Sequence, residues 1–153
     1  MFNSGISGRF DHTIDEKGRV SLPARFREAL QQEQNESIFI TNFSLAGERC
    51  LHVYPPAEWQ RTIGKLHQRP TFSIEMQRFL TFFIGGAHEV PLDRQGRILI
   101  PPRLRAYASL NGEVTFSAML NYYQLWSNAT LEHLLANVED QVNDPQFMEK
   151  LGL

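Results

Sequence analysis

The sequence predicts an α+β fold assembled from a duplicated module, and three observations predict it. Asp15-Glu16-Lys17-Gly18-Arg19-Val20-Ser21-Leu22-Pro23-Ala24-Arg25-Phe26-Arg27 lies over Asp93-Arg94-Gln95-Gly96-Arg97-Ile98-Leu99-Ile100-Pro101-Pro102-Arg103-Leu104-Arg105 at an offset of 78 residues, with six of thirteen positions identical. An internal repeat of this kind dictates architecture before any single element does. Each copy then runs from turn chemistry into a short apolar stretch, a proline and a run with helical spacing. The similarity continues at an offset of 72, where Leu51-His52-Val53-Tyr54-Pro55-Pro56-Ala57 resembles Tyr123-Gln124-Leu125-Trp126-Ser127-Asn128-Ala129, so the first copy carries about six extra residues in its loop region.

The elements follow in order. Asp-x-x-Gly puts Asp15 and Asp93 where a carboxylate caps backbone amides, and Gly18 and Gly96 where a positive φ is wanted, so both are turn-forming pairs. Arg19–Leu22 and Arg97–Ile100 are apolar enough for short strands, which Pro23 and Pro101 end. Proline is accommodated in a first helical turn, and Phe26, Ala29 and Leu30 recur at helical spacing, as do Leu104, Tyr107 and Ala108. Paired strands are expected at 37–41 with 50–54 and at 113–117 with 122–126. Longer helices are expected at 56–67, 74–83 and 128–142. Residues 79–84 are apolar almost all round and must be covered, by the core or by a neighbouring chain. The resulting division is a first module with its following helix (1–67), a connecting helical segment (68–86), a second module with its helix (87–142) and a C-terminal tail expected to fray (143–153).

Composition narrows the functional classes. A chain of 153 residues with 42% hydrophobic and 21% charged residues is ordinary globular material, long enough to bury about two-thirds of its unfolded surface without a disulfide or metal staple. Cys50 is the single cysteine, and Leu51 and Val53 beside it suit a small buried side chain. Met1-Phe2-Asn3-Ser4-Gly5 lacks the basic and apolar regions of a signal peptide, and no apolar run is long enough to span a membrane, so a cytoplasmic location is expected. The net charge of −2 hides a strongly uneven distribution. Of 15 Lys and Arg residues, nine fall in two windows, Arg9 to Arg27 and Arg94 to Arg105, whereas residues 127–153 hold five acids against one lysine. Two basic windows on repeated turns point to nucleic acid.

The repeated Asp-x-x-Gly-Arg turn, each time running into strand, proline and an arginine-bearing helix, resembles the MraZ family of bacterial transcriptional regulators. The likeness extends from Met1-Phe2 to Leu125-Trp126. It implies an AbrB-like swapped-hairpin fold, so the chain is expected to hold two tandem swapped-hairpin, β-barrel-type modules with flanking α-helices. It implies too a homo-oligomer closed into a ring of about 8 to 12 subunits, as heterologous contacts do when their rotation closes. The expected partner is double-stranded DNA, as short direct repeats in the promoter of the gene cluster for cell division and wall synthesis, which includes the regulator's own gene. Nucleoid association follows from the same likeness. In the family the Asp-x-x-Gly-Arg turn forms the DNA-facing surface, which maps onto Lys17 and Arg19 and onto Arg97 with Arg94. Gln95 stands where the first copy has Lys17, which weakens phosphate contact from the second module.

The residue chemistry agrees with that implication. Arg can donate two hydrogen bonds to a guanine edge, and Lys acts as a point charge suited to phosphate. Arg19 and Arg97 are the leading candidates for base or phosphate contact, the alternative being that they pair with Asp15 and Asp93 and only brace the turn. Arg25, Arg27, Arg103 and Arg105 lie on the following helices, where either DNA contact or a solvated, ion-paired face is open. Catalysis has no support: His12, His52, His67, His88 and His133 are scattered, and no metal-ligand pair, nucleophile elbow or phosphate-binding glycine loop occurs, so neither cofactor nor metal is expected. A swapped-hairpin antitoxin or an oligomeric interaction scaffold is the competing class.

Overall fold

The computed structural model describes residues 7–153; the reading made on Met1-Phe2-Asn3-Ser4-Gly5 lies outside them. The first copy contributes β1 (Arg9–Ile14), β2 (Arg19–Ser21), α1 (Ala24–Gln32), β3 (Ser37–Leu45), β4 (Glu48–Tyr54) and α2 (Pro56–His67). A connecting helix α3 (Ile74–Phe83) leads into the second copy, with β5 (His88–Pro91), β6 (Arg97–Leu99), α4 (Pro102–Tyr107), β7 (Gly112–Ala118), β8 (Tyr123–Ser127) and α5 (Asn128–Val142). The tail does not simply fray. Asp144 caps a further helix, α6 (Pro145–Lys150), by accepting from the Gln146 amide at 3.0 Å.

The strands form a six-stranded antiparallel sheet in the order β1-β7-β8-β4-β3-β5 and a separate two-stranded ribbon, β2-β6. That order is the same from either end once copies are exchanged. β1 pairs with β7 of the second copy as β5 pairs with β3 of the first, and β4 meets its counterpart β8 with Leu51 opposite Leu125 and Val53 opposite Tyr123. Each copy therefore lends its first strand to the other copy's hairpin. The expected barrel-type closure is absent among the described residues: β1 and β5 are the two edges of an open sheet, separated by four strands. The ribbon and two helices cover one face of that sheet in place of closure.

Alternation explains the layers. Ile38, Ile40, Leu51, Val53, Val114, Phe116 and Leu125 point to one face, where they meet Val20 and Ile98 of the ribbon and Phe26, Leu30 and Leu104 of α1 and α4 in one continuous core. Phe26 stacks on Tyr123 with ring centroids 4.5 Å apart. Burying each such side chain contributes roughly 1.5–3 kcal/mol, and here residues of both copies contribute to one core. The opposite face carries Cys50 and Trp126 beneath α5, and Tyr54 with Trp59 and Phe83 of α2 and α3. Cys50 is fully buried, and burial pushes its thiol up to about 12. The apolar 79–84 segment is covered on one side: Phe83 is buried and Phe79, Leu80 and Ile84 are half-buried, while Phe82 is exposed, as are Ile74 at the start of α3 and Phe72 before it.

Candidate nucleic-acid interface

The two Asp-x-x-Gly-Arg turns close with the same bonds. In the first, Asp15 Oδ1 accepts from the backbone amides of Lys17 and Arg19 at 3.0 and 2.9 Å, and the Gly18 amide donates to the Asp15 carbonyl at 3.0 Å. In the second, Asp93 Oδ1 accepts from Gln95 and Arg97, both at 2.9 Å, and Gly96 donates to the Asp93 carbonyl at 3.0 Å. Gly18 and Gly96 sit at φ 93° and 74°, a region that disfavours any side chain. The amide of the arginine four residues on, its guanidinium and the nearby lysine or glutamine amide hold both carboxyls below their ordinary value. A carboxyl depressed on folding stabilises the turn above the ordinary carboxylate range and loses that contribution as the pH falls.

Both arginines are tied to those aspartates. Arg19 Nε donates to Asp15 Oδ2 at 2.8 Å and Arg97 Nε to Asp93 Oδ2 at 2.9 Å. The bracing role is therefore real, yet it engages only Nε. Among the described residues neither arginine's terminal amino groups donate to a protein acceptor, and the side chains keep 38% and 30% of their surface exposed.

Strand pairing decides where these arginines point. In the ribbon Arg19 lies opposite Leu99, Val20 opposite Ile98 and Ser21 opposite Arg97. Val20 and Ile98 are 1% exposed and face the core, so period-two alternation places Arg19, Ser21, Arg97 and Leu99 together on the outer face. Arg19 and Arg97 are diagonal neighbours, with Cα atoms about 7–8 Å apart. Leu99, opposite Arg19 and two residues along from Arg97, is 54% exposed. The alternation that identifies Leu99 was visible in the sequence once the ribbon is known, but Arg97–Ile100 read alone looked like an apolar strand.

The remaining basic residues separate into two groups. Lys17 and Arg94 are exposed at the turns, and Arg25 and Arg103 are exposed in the first turns of α1 and α4. Arg27 and Arg105, expected on an outward helix face, are instead turned beneath the opposite copy's turn. Arg105 donates to the Asp15 and Glu16 carbonyls, and Arg27 packs against Gly96. The ribbon causes this: Ile100 N donates to the Gly18 carbonyl and Leu22 N to the Gly96 carbonyl, which brings each turn onto the other copy's helix.

The comparisons with known proteins bear on this repeated geometry. The family model described as "MraZ protein, putative antitoxin-like" matches twice, at residues 6–82 and 83–149. The chain belongs to the MraZ family. It is 35% identical over 147 residues to the "Transcriptional regulator MraZ" of Syntrophobacter fumaroxidans, covering 95% of each chain. It is 42% identical to the protein of the same name from Desulfitobacterium hafniense, over 90% of this chain and 88% of that one. A third MraZ, from Moorella thermoacetica, is 40% identical over 88% of this chain and 89% of its own. Two tandem MraZ domains thus share one antiparallel sheet here. Among the described residues no cluster of three or more His, Cys, Asp or Glu side chains could hold a metal ion, and no helix is long and apolar enough to cross a membrane.

Proposed function

We propose that the chain is a transcriptional regulator that binds double-stranded DNA through the outer face of the β2-β6 ribbon and its two flanking turns. One observation carries the reading: Arg19 and Arg97 share one outer face, each steadied through Nε while its terminal amino groups meet no protein acceptor among the described residues. A two-stranded ribbon fits the major groove, where guanidinium groups read guanine edges. Lys17, Arg94, Arg25 and Arg103 supply phosphate contacts around it. The name shared by the relatives, "Transcriptional regulator MraZ", supports the same reading. So does the exchange of first strands between copies, which fits the swapped-hairpin likeness.

One ribbon offers few phosphate contacts and binds weakly at cellular salt. A ring that repeats the surface makes later contacts intramolecular, and short direct repeats in the promoter of the division and wall gene cluster would match it. The uncovered Phe72, Ile74 and Phe82 of the α3 region support self-association. A regulator acting in this way would work in the cytoplasm, at the nucleoid. Changing Arg19 to Ala is expected to lower promoter affinity by about a hundredfold in a gel-shift titration and leave the assembly mass unchanged; wild-type affinity in that variant removes Arg19 from the site. The family description favours a second reading as an antitoxin, which a stoichiometric second protein co-purifying from the native host would support.

A further inference from the structure

The two turns match internally but are supported differently from below. Arg105, on α4 of the second copy, reaches under the first turn. Its Nη1 donates to the Glu16 carbonyl at 2.9 Å, its Nη2 to the Asp15 carbonyl at 3.2 Å and its Nε to the Leu110 carbonyl at 3.1 Å. A planar fork that spans two successive carbonyls fixes both position and orientation, which a flexible ammonium cannot do. Nη1 comes within 3.3 Å of where a Cβ on Gly18 would stand, so the contact also depends on that glycine.

Arg27 holds the equivalent place on α1, packed against Gly96, but it closes no such bond. Among the described residues it donates no hydrogen bond to the second turn, and its Nε is buried without a partner. Helix length is the cause. α4 has six residues and stops at Tyr107, so the chain folds back with Leu110 N donating to the Arg105 carbonyl at 3.0 Å, and the Leu110 carbonyl returns to take Arg105 Nε. α1 has nine residues and its matching closure, Asn35 N to the Leu30 carbonyl at 2.8 Å, falls nearly one helical turn beyond Arg27. A groove of about 530 Å³ lies there instead, bordered by Arg27, Gln31, Asn35, Arg94, Gln95 and Gly96.

We infer that Arg105 is a positioning residue: it latches the first turn so that Lys17 and Arg19 meet DNA in a preset geometry, whereas the unlatched second turn adapts to the duplex. The inference rests on the reading that the turns face DNA. Ordering a loop in advance removes a cost otherwise borne on binding.

Hydrogen exchange followed by mass spectrometry on the full-length assembly tests it, comparing peptides over 12–20 and 90–98 after correction for intrinsic rates. In the wild type the first turn is expected to exchange more slowly than the second; equal protection overturns the latch without any variant. Arg105→Lys keeps the charge and most of the stem but loses the fork. It should accelerate exchange at the first turn by about tenfold, the second turn staying unchanged, and weaken DNA binding by about tenfold, the scale of one charge-assisted hydrogen bond. Arg27→Lys is the matched control and should alter neither turn by more than about twofold. Acceleration spread evenly over the chain, or an unchanged first turn, overturns the proposal. Failure of the DNA reading looks different: Arg19→Ala would bind as wild type while the exchange difference between the turns persists.

Discussion

The first and second turns show how far identical local chemistry can be separated by what lies beneath it. Both cap backbone amides with an aspartate, both place glycine at positive φ and both tie an arginine Nε to the carboxylate. They differ in the arm arriving from the other copy, which is hydrogen-bonded under the first turn and not under the second. They differ too on the ribbon's outer face, where Ser21 of the first copy corresponds to Leu99 of the second. A duplicated module therefore offers two versions of one surface, one preset and one adaptable.

The largest test of that inequality is on the arginines themselves. Arg19→Ala is expected to lower affinity for promoter DNA by about a hundredfold and Arg97→Ala by about tenfold, within the range for one bidentate base contact. Equal losses in parallel gel-shift titrations would break the comparison. The copies also differ at the centre of the sheet, where His52 lies opposite its counterpart Gln124. Burial holds His52 down at about 3, so the unfolded chain takes up a proton below ~6.5 that the folded chain refuses. His52's share of the stability is whole above ~6.5 and is lost by on the order of 1 kcal/mol per pH unit on the way down toward 3. In denaturant titrations His52→Gln should flatten that slope; an unchanged slope assigns the acid sensitivity elsewhere.

Smaller effects sharpen the picture. Gly18→Ala and Gly96→Ala each force a side chain into positive φ and should cost about 1–2 kcal/mol in thermal unfolding. The first should also disturb the Arg105 latch, because the new Cβ approaches both Arg105 Nη1 and the Ile100 carbonyl. The second puts its Cβ 2.3 Å from Arg27 Cδ and so displaces that side chain, but it breaks no hydrogen bond under the turn and should leave DNA binding closer to wild type. Leu99→Ser makes the outer faces of β2 and β6 alike and is expected to change affinity about threefold, the scale of one apolar contact with a thymine methyl. Replacing thymine by uracil in the duplex should then affect the wild type and not the variant.

Much of this is legible in the sequence. The helices expected at 56–67, 74–83 and 128–142 match α2, α3 and α5, because each carries its own stop and start residues and a strong 3.6-residue period. The turns were legible for the same reason, being settled by Asp and Gly three positions apart. β1 and β5 were not recognised: β1 mixes Arg9, Asp11 and Thr13 with Phe10, His12 and Ile14, and β5 has four residues. α6 was missed because six residues carry too little periodicity to separate a capped helix from a tail.

Taken alone, the sequence determined that there are two copies, where their turns lie and which arginines those turns display, since all of this is decided by neighbours a few residues apart. Only the tertiary structure decided that each copy pairs its first strand with the other, that the sheet stays open, and that Arg105 closes on a turn 90 residues away while Arg27 does not. Strand edges bear no mark of their partner, and a guanidinium reaches a distant carbonyl only after one helix has ended a turn earlier than its twin.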